Sequence, residues 1–253
     1  MSNFKERLKN GDQLLGPFLN LNYPAIIEMA GLAGFDFAII DNEHGEIPIE
    51  SAINLVRAAK AAGITSIVRV YENNPELIGK ALDMGADGVQ IPNVGSKEAA
   101  EKAVKAAKFA PFGERGCNRY VRGGKYSAMD RTEFFGKSNE RTSVILQVEG
   151  QDGVASLPEI LKVKGIDVLF VGPYDLSASL GIPGQVEHPK VIAQMEEIME
   201  QAKQVGVAIG YFVDDIETAI KWKKRGVQYI SFACDANLLY DAFKKSTTLF
   251  QNS

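Results

Sequence analysis

The sequence predicts an eight-stranded α/β barrel, the (β/α)8 or TIM barrel, formed as a single domain by residues 1–253. Short apolar runs alternate with helical segments from one end of the chain to the other. Several helical segments end in glycine directly before the next apolar run, and glycine is the usual left-handed stop of a helix. A chain of 253 residues is long enough for one such barrel.

Eight strands are predicted in order, at residues 14–19, 35–41, 66–71, 88–92, 143–149, 168–171, 207–213 and 229–233. Helical patterns lie between them at residues 49–62, 75–84, 97–107, 158–163, 189–205 and 216–225. Four of these helices are followed by Gly63, Gly85, Gly206 and Gly226. Repeated strand–helix units favour a closed barrel over a doubly wound open sheet, because no GxGxxG motif follows the first strand.

Two segments depart from the regular alternation. Residues 109–127 form a long connection, followed by a predicted helix at 130–137, and long connections are often functional. The last helix, near residues 237–249, fits its own barrel or a neighbouring subunit equally well. Its apolar residues are Leu238, Leu239, Tyr240, Phe243, Leu249 and Phe250.

Charge and composition exclude several classes of protein. The net charge of −4 and the pI near 5.4 argue against a general nucleic-acid binder, which is usually basic. No apolar stretch is long enough to cross a membrane, and residues 1–7 lack the apolar core of a signal peptide. Cys117 and Cys234 lie far apart without CxxC spacing, so the sequence predicts a reduced cytoplasmic protein.

Charged and amide side chains stand where the predicted strands end. They are Asp41, Glu43, His44, Arg69, Gln147 and Glu149. The carboxyl ends of barrel strands meet at one mouth, where active sites form. Buried Arg, Gln and Glu are costly without partners, so these side chains could serve each other, a metal ion and a substrate. The alternative for any one of them is a buried ion-pair network without catalysis.

Glu149 and Asp175 are the candidate metal ligands. Two carboxylates that leave positions for water and substrate suit Mg²⁺ or Mn²⁺, and zinc would need more histidines. Asp175 has a second interpretation as the N-cap of a short helix. The backbone N–H groups at Tyr174 and Asp175 would then point at an anion.

Of the two histidines, His44 is the candidate general base, because imidazole titrates near neutral pH. Asp41 could orient its ring. His188 stands just before a helix and is interpreted as a capping or surface residue.

The segment from Arg115 to Lys125 is basic and contains glycines. It could hold a distal carboxylate or phosphate of a substrate, or it could contact another subunit. The sequence does not separate these two hypotheses. The segment lacks the lysine-containing pattern of a phosphate loop.

Short stretches along the chain recur in the order typical of one enzyme family. They are Ile40-Asp41-Asn42-Glu43-His44, Val68-Arg69-Val70, Ala81-Leu82-Asp83-Met84-Gly85-Ala86, Gln147-Val148-Glu149 and Gly172-Pro173-Tyr174-Asp175-Leu176-Ser177. The chain thereby resembles the HpcH/HpaI family of metal-dependent pyruvate aldolases over nearly its whole length. The last stretch is the most specific when it follows a Gln-x-Glu at this spacing.

The resemblance implies a role for each matching residue. Glu149 and Asp175 match the ligands of a divalent metal, Mg²⁺, Mn²⁺ or Co²⁺, and no organic cofactor is implied. His44 matches the proton acceptor, and Arg69 matches the group that stabilises an enolate. The implied substrate contacts are Gln147, Gly172, Pro173 and Tyr174. The family has a small residue where this chain has Tyr174, so this ring either points away or narrows the pocket.

Asp83 matches a family aspartate that raises the basicity of the histidine. It falls at the end of the helix after the third strand, which is the barrel face opposite His44. We therefore expect Asp83 to act on the His44 of another subunit. The family forms hexamers, as trimers of dimers, often with the last helix exchanged, and the resemblance implies the same here.

The implied reaction is reversible aldol cleavage of a 2-oxo-4-hydroxy acid to pyruvate and an aldehyde through a metal-stabilised enolate. The substrate would be a 2-keto-3-deoxy sugar acid or a 4-hydroxy-2-oxo dicarboxylate, from sugar-acid or aromatic catabolism. A Schiff-base mechanism is disfavoured because the predicted strand ends carry no lysine. The alternatives are a citrate-synthase-like or acyl-CoA condensing or cleaving enzyme on the same barrel, and a non-catalytic ligand-binding barrel.

Overall fold

The structure is a computed structural model that describes residues 4–253. Residues 1–3, where the stretch tested for a signal peptide begins, lie outside the described residues. Eight parallel strands pair in chain order, and β8 pairs with β1 to close the barrel. The strands are β1 (Leu14–Leu19), β2 (Phe37–Asp41), β3 (Thr65–Arg69), β4 (Gly88–Ile91), β5 (Ser143–Gln147), β6 (Val168–Val171), β7 (Ala208–Val213) and β8 (Tyr229–Cys234). The predicted TIM barrel is therefore confirmed.

Helices cover the outside of the barrel and one of its ends. They are α1 (Phe4–Lys9), α2 (Pro24–Leu32), α3 (Ala52–Ala62), α4 (Pro75–Asp83), α5 (Lys97–Ala107), α6 (Phe134–Arg141), α7 (Gln151–Ala155), α8 (Leu157–Ile160), α9 (Pro173–Ser179), α10 (Pro189–Gln204), α11 (Ile216–Arg225) and α12 (Asp235–Gln251). A 3-10 helix (Arg122–Ser127) lies in the long connection before α6. Among residues 4–253, every helix is too short or too polar to span a bilayer.

All eight predicted strands are present, and the differences lie at their ends. The predicted strands 66–71 and 143–149 stop at Arg69 and Gln147. Their apolar pattern continues through Val70 and Val148, which each donate one more backbone hydrogen bond to the next strand, at 3.1 and 2.8 Å. The fifth strand thus ends two residues before Glu149, which lies on the loop at the barrel mouth.

The sequence did not predict α1, α2 and α7. Helix α2 is apolar around most of its circumference, so it lacks the one-sided pattern by which an amphipathic helix is recognised. Helix α1 is one short turn-and-a-half that buries Phe4 and Leu8. The Phe4 ring meets the rings of Phe37 and Tyr229 edge-on at 5.8 and 5.9 Å, so α1 closes the amino-terminal end of the barrel.

Glycines end the helices where the sequence predicted. Gly63 and Gly226 cap α3 and α11 with φ of 75° and 98°. Gly85 and Gly206 follow α4 and α10 with φ of 88° and 72°. A residue with a Cβ would be strained at each of these positions.

The barrel interior is packed mainly with aromatic and aliphatic side chains. They are Phe4, Leu8, Leu14, Phe18, Phe37, Ile39, Ile67, Ile145, Val168, Phe170, Ala208 and Tyr229. Phe37 and Tyr229 stack with ring centroids 4.3 Å apart. A Cβ on Gly16 would lie 2.4 Å from the Phe37 ring, so close packing requires glycine there. This layer supports the polar groups at the barrel mouth.

Helix α12 follows β8 and contacts β1 and β8. Its one buried residue is Asp235, whose carboxylate accepts the backbone N–H groups of Asn20 and Leu21 at 2.9 and 3.1 Å. Among the residues after it, Leu238 and Leu239 are half-buried and residues 240–251 are exposed. Its exposed apolar residues include Tyr240, Phe243, Leu249 and Phe250.

Candidate active site

The candidate site residues lie at the carboxyl ends of four strands. Asp41, Arg69 and Gln147 are the last residues of β2, β3 and β5. Glu149 lies two residues after the end of β5, and Gly172 follows β6 directly. Because all strands are parallel, residues far apart in sequence meet at one mouth of the barrel.

Arg69 is held rigidly by two carboxylates and an aromatic ring. Its Nε and Nη2 donate to the two oxygens of Asp41 at 2.8 and 2.7 Å, and Nη1 lies 2.8 Å from Glu43 Oε2. Its guanidinium carbon lies 4.6 Å from the centroid of the Phe18 ring. Burial opposes the charge, but the hydrogen bonds and charges of Asp41 and Glu43 outweigh it and raise the Arg69 pKa. The site therefore contains a permanent, fixed cation.

His44 lies on the loop after β2 with its side chain 69% exposed. Its Nε2 is 3.9 Å from Glu43 Oε2, which is too far for a hydrogen bond. Asp41 accepts the backbone N–H groups of Glu43 and His44 at 3.0 and 3.4 Å, so it contacts the His44 backbone. The carboxylate proposed to orient the imidazole thus shapes the loop and binds Arg69 instead.

Glu149 and Asp175 converge beside Gly172. A Cβ built on Gly172 would lie 2.7 Å from Glu149 Oε2, 3.4 Å from Asp175 Oδ2 and 3.7 Å from Gln147 Nε2. Gln147 Nε2 donates to Glu149 Oε2, and the Asn93 N–H donates to Oε1 at 3.3 Å. The absence of a side chain at position 172 keeps the space between the two carboxylates open.

The electrostatics of this space favour a cation. Burial raises the pKa of Glu149 to about 7, and the negative charges of Asp175 and Glu43 add to the effect, against the Gln147 and Asn93 hydrogen bonds. Burial likewise raises the Glu43 pKa, although Arg69 opposes it. A divalent cation would relieve this clustering of acids.

The donor set fits a hard divalent metal. The two carboxylates supply oxygen ligands and leave positions for water and substrate, as Mg²⁺ and Mn²⁺ sites do. Within residues 4–253, no group of three or more His, Cys, Asp or Glu side chains is placed to enclose a metal ion. Residues Glu149 and Asp175 could therefore hold a metal only in an open site, which is the kind that catalysis uses.

Helix α9 begins at Pro173, immediately after Gly172 at the N-cap position. Asp175 lies in the first turn, and no side chain accepts a capping hydrogen bond at this helix start. The alternative interpretation of Asp175 as a helix cap is therefore wrong. Its carboxylate remains available beside Glu149.

Tyr174 lies over the barrel mouth. Its hydroxyl donates to Asp214 Oδ2 at 2.8 Å, and its ring centroid is 6.2 Å from that of Phe212. Phe212 in turn lies 5.8 Å from Phe18, whose ring supports Arg69. Burial raises the pKa of Tyr174 to about 12, with Asp214 contributing. The Tyr174 hydroxyl is therefore a neutral hydrogen-bond donor to Asp214 at the carboxyl end of the barrel.

Asp83 is separated from His44 within the chain. It is the last residue of α4, at the amino-terminal end of the barrel, and it accepts a hydrogen bond from Arg115 Nη2 at 2.6 Å. A surface groove of about 390 Å³ passes over it between α3 and the 3-10 helix. The groove is lined by Ile49, Glu50, Ile53, Lys80, Asp83, Met84, Val121, Arg122 and Tyr126.

The basic segment of residues 115–125 lies at this same end of the barrel. Besides Arg115, Arg122 Nη1 donates to the backbone of Met84 at 3.1 Å, and Arg119 Nη2 donates to that of Ser127 at 2.8 Å. Within one chain the segment thus packs far from the mouth of its own barrel.

His188 lies at the N-cap of α10, where its Nδ1 accepts the N–H of Lys190 at 3.2 Å, so the capping interpretation is confirmed.

Several residues of the site were missed by sequence reasoning. Gln90 on β4, Asn93 after it, Phe18 on β1 and Asp214 after β7 all contact the predicted residues. Gln90 could have been identified from the sequence, because a polar residue within the apolar run of β4 indicates a buried side chain that needs hydrogen-bond partners. Phe18 and Asp214 gave no such indication, since their roles depend on strands that are distant in sequence.

Known proteins share this architecture and sequence. Residues 14–242 match the family described as HpcH/HpaI aldolase/citrate lyase. A 2-keto-3-deoxy-L-rhamnonate aldolase of Escherichia coli (strain K12) is 31% identical over 253 residues, covering 98% of this chain and 93% of that protein.

Solved structures agree with this assignment. The HpcH/HpaI aldolase of Desulfitobacterium hafniense DCB-2 superposes with a TM-score of 0.94 at 31% identity, over 100% of this chain and 98% of that one. The citrate synthase SbnG superposes with a TM-score of 0.89 at 33% identity, over 99% and 98% of the two chains. This chain belongs to the HpcH/HpaI aldolase/citrate lyase family.

Proposed function

We propose that this chain is a divalent-metal-dependent aldolase that reversibly cleaves a 2-oxo-4-hydroxy acid into pyruvate and an aldehyde. One observation carries the proposal: the Glu149 and Asp175 carboxylates converge beside Gly172, at the mouth that also holds Arg69. Such a pair can bind a metal ion beside a fixed cation that attracts a 2-oxo acid. The name of the E. coli relative points to the same class of substrate.

Mg²⁺, Mn²⁺ or Co²⁺ suits the oxygen donors of Glu149 and Asp175, and no organic cofactor is needed for the cleavage. When bound, such an ion would polarise the 2-oxo group and stabilise negative charge on its oxygen. Gln147 and the backbone of Gly172, Pro173 and Tyr174 border the same space and would contact the substrate's pyruvate half.

Arg69 is placed to stabilise the enolate that forms as the carbon–carbon bond breaks. Its guanidinium is already fixed by Asp41, Glu43 and Phe18, so little reorganisation is needed when charge appears on the substrate. Preorganised donors of this kind typically contribute a factor of about 100 or more in rate.

His44 is the proposed base. Its exposed imidazole makes no hydrogen bond to Glu43, so a ring nitrogen can take the proton of the 4-hydroxyl directly or through water. The C3–C4 bond then breaks, the aldehyde leaves, and the bonding electrons pass into the enolate of pyruvate. Protonation of that enolate at C3 gives pyruvate.

Asp83 is proposed to complete the site of a neighbouring subunit. Within its own chain it lies at the opposite end of the barrel from His44, beside an exposed groove and the exposed ring of Tyr126. Residues 125–127 all have positive φ, and such strain is kept where a segment has a contact to make. Asp83 of one subunit would raise the basicity of His44 in the next.

A mixing experiment tests this arrangement. Asp83→Ala and His44→Ala should each lower aldolase activity, whereas co-expression of the two variants should restore part of it. The mixed assembly contains sites with an intact His44 from one subunit and an intact Asp83 from the other. A monomer with full activity would contradict the proposal.

The exposed apolar face of α12 supports a homo-oligomer in which this helix is exchanged between subunits. A hexamer built as a trimer of dimers is proposed from the family.

Both cysteines are free in the structure, in keeping with a reduced, cytoplasmic location. A small-molecule 2-oxo acid and an aldehyde are the proposed partners.

A second candidate is favoured by the similarity to the citrate synthase SbnG. A condensing enzyme of that type would use the same enolate-stabilising groups with a different electrophile. Activity with oxaloacetate plus a second acid or thioester, and none with 2-oxo-4-hydroxy acids, would favour this candidate.

A coupled assay of pyruvate release tests the main proposal. The purified protein is supplied with a panel of 2-keto-3-deoxy sugar acids and 4-hydroxy-2-oxo dicarboxylates, with Mn²⁺ and with EDTA. We expect metal-dependent pyruvate release that Glu149→Gln abolishes, because the amide is a poor ligand for a hard cation.

The matched control is Glu159→Gln, which removes an exposed carboxylate on α8 and should leave the rate unchanged. Activity that persists in EDTA, together with borohydride trapping of a pyruvate adduct, would contradict the metal mechanism and favour a Schiff base.

A further inference from the structure

A chain of buried hydrogen bonds crosses the barrel interior and ends on Glu149. The Tyr229 hydroxyl on β8 lies 3.2 Å from Gln90 Oε1 on β4, on the opposite wall of the barrel. Gln90 Nε2 donates to Gln147 Oε1 at 2.8 Å, and Gln147 Nε2 donates to Glu149 Oε2. None of these four side chains is more than 5% exposed.

The Tyr229 hydroxyl and the Glu149 carboxylate, at the two ends of this hydrogen-bond network, favour the same direction for every bond in it. The Tyr229 proton goes to the Gln90 oxygen, which leaves the Gln90 amide nitrogen to face Gln147. The Gln147 oxygen accepts that bond, and its amide nitrogen must then face the Glu149 carboxylate. Reversing either amide would oppose two donors or two acceptors, which is costly in a buried network.

Tyr229 is built to remain a proton donor. Its ring stacks on Phe37 at 4.3 Å and meets Phe4 and Phe170 edge-on at 5.9 Å. Burial raises the Tyr229 pKa well above its ordinary value, so the phenol is neutral near physiological pH. The neutral hydroxyl can therefore donate its proton to Gln90.

We propose that Tyr229 and Gln90 are positioning residues that fix the orientation of the Gln147 amide and, through it, the aim of the Glu149 carboxylate. The atoms nearest a Cβ on Gly172 belong to Glu149, Asp175 and Gln147, so Tyr229 and Gln90 act through the next member of the hydrogen-bond network. The inference rests on the proposed role of Glu149 as a metal ligand. Hydrogen-bond partners of a ligand typically change metal affinity by about 10- to 100-fold.

The experiment measures Mn²⁺ binding to metal-free protein by isothermal titration calorimetry. Tyr229→Phe removes one hydroxyl and keeps the ring in its aromatic packing. Without its donor, the Gln90 amide can reverse, and the Gln147 nitrogen can leave Glu149. We expect the Kd for Mn²⁺ to rise about tenfold or more, with the folded circular dichroism spectrum retained.

Tyr211→Phe is the matched control. Tyr211 is also buried, at 1% exposure, and its hydroxyl has no hydrogen-bond partner within residues 4–253. Its ring packs on Trp222 at 4.7 Å, between the barrel and α11. The same chemical change at this site should leave the Kd for Mn²⁺ unchanged. An effect seen only in Tyr229→Phe would then come from the hydrogen bond to Gln90 and not from the loss of any buried hydroxyl.

A double-mutant cycle tests whether Tyr229 acts through Gln90. Gln90→Met should weaken Mn²⁺ binding by itself, and adding Tyr229→Phe should weaken it no further. Gln90→Met also keeps the test available if Tyr229→Phe fails to fold. If the rise in the Kd for Mn²⁺ in the double variant equals the product of the two single rises, Tyr229 does not act through Gln90, and the inference is overturned.

The possible failures are distinguishable. If the wild type binds Mn²⁺, Glu149→Gln abolishes binding, and Tyr229→Phe and Gln90→Met both bind like the wild type, only this inference is overturned. If the wild type binds no Mn²⁺ at all, the proposed metal site and this inference fall together. A changed melting temperature with an unchanged Kd would show a structural role alone and would also overturn the inference.

Discussion

The Asp41 carboxylate binds both a side chain of the neighbouring strand and the backbone of its own loop. Both of its oxygens bind Arg69, at 2.8 and 2.7 Å, and one also accepts backbone N–H groups of the loop that carries His44. The hypothesis that it orients the imidazole came from their nearness in sequence. The stronger partner comes from the neighbouring strand, because β2 and β3 place Asp41 and Arg69 side by side.

At the residue scale, Asp214 gives a prediction about the aldehyde half of the substrate. Its exposed carboxylate accepts the Tyr174 hydroxyl at 2.8 Å, just beyond the carboxyl ends of β6 and β7. A negative charge there should repel a carboxylated aldehyde and tolerate an uncharged, hydroxyl-bearing one. Asp214→Asn should therefore raise the ratio of kcat/KM for dicarboxylate over sugar-acid substrates by about threefold to tenfold at low salt.

The measurement is a competition between the two substrate types at low and high ionic strength. The difference between wild type and Asp214→Asn should shrink as salt is added. Glu217→Gln, an exposed acid in the first turn of α11, serves as the control. An unchanged ratio would mean that Asp214 does not face the substrate.

Lys108 gives a prediction about pH and stability. It is 4% exposed at the end of α5, and its Nζ donates to the backbone oxygens of Asn139 and Thr142 at 2.9 and 2.6 Å. Burial, with the nearby charge of Lys5, lowers its pKa to about 7. The unfolded chain has a lysine pKa of about 10.4, so between these values unfolding takes up a proton and stability rises with pH.

The comparison is between wild type and Lys108→Met in denaturant titrations at pH 7, 8 and 9. The wild-type free energy of unfolding should rise relative to the variant across this window, because the proton that the amine takes up on unfolding favours the unfolded chain less as the pH rises. Lys105→Met, on the exposed side of the same helix, is the control. Parallel pH profiles for wild type and Lys108→Met would contradict the prediction.

At the scale of elements, the turn from β6 into α9 keeps the candidate metal site open. Gly172 has no side chain, and a Cβ there would lie 2.7 Å from Glu149 Oε2. In Gly172→Ala the flexible end of Glu149 must move, so the barrel should remain folded while the carboxylate leaves its position. We expect Mn²⁺ affinity to fall about tenfold or more, with a small change in melting temperature.

Calorimetric Mn²⁺ titration and thermal unfolding of the same Gly172→Ala sample provide the two readouts. Gly136→Ala on α6 is the control, because a Cβ there meets nothing within 4 Å. Wild-type Mn²⁺ affinity in Gly172→Ala would show that the space beside Gly172 is not where the ion binds.

At the scale of the whole molecule, α12 predicts assembly. The helix runs over residues Asp235–Gln251 with Phe243 67% exposed and Phe250 83% exposed. Exposed aromatics on one long helix are typical of a protein–protein contact. Phe243→Glu should therefore reduce the molecular mass in solution, as measured by light scattering after size-exclusion chromatography, without unfolding the barrel.

Lys244→Glu, on the next residue, is the control for added negative charge and should leave the mass unchanged. If Phe243→Glu keeps the wild-type mass, the helix is not part of the subunit contact. If assembly and activity fall together, the loss agrees with a site completed by Asp83 of another subunit.

The sequence by itself determined the eight strands, the glycine stops of the helices and the acids at the strand ends. These follow from local rules, because side-chain period, left-handed glycine and parallel strand ends act within a few residues. Only the tertiary structure decided that Asp41 binds Arg69, that Arg115 binds Asp83 and that Tyr229 reaches Gln90. The last two are 139 residues apart in sequence and meet only because a closed barrel brings opposite strands within one side-chain length across its interior.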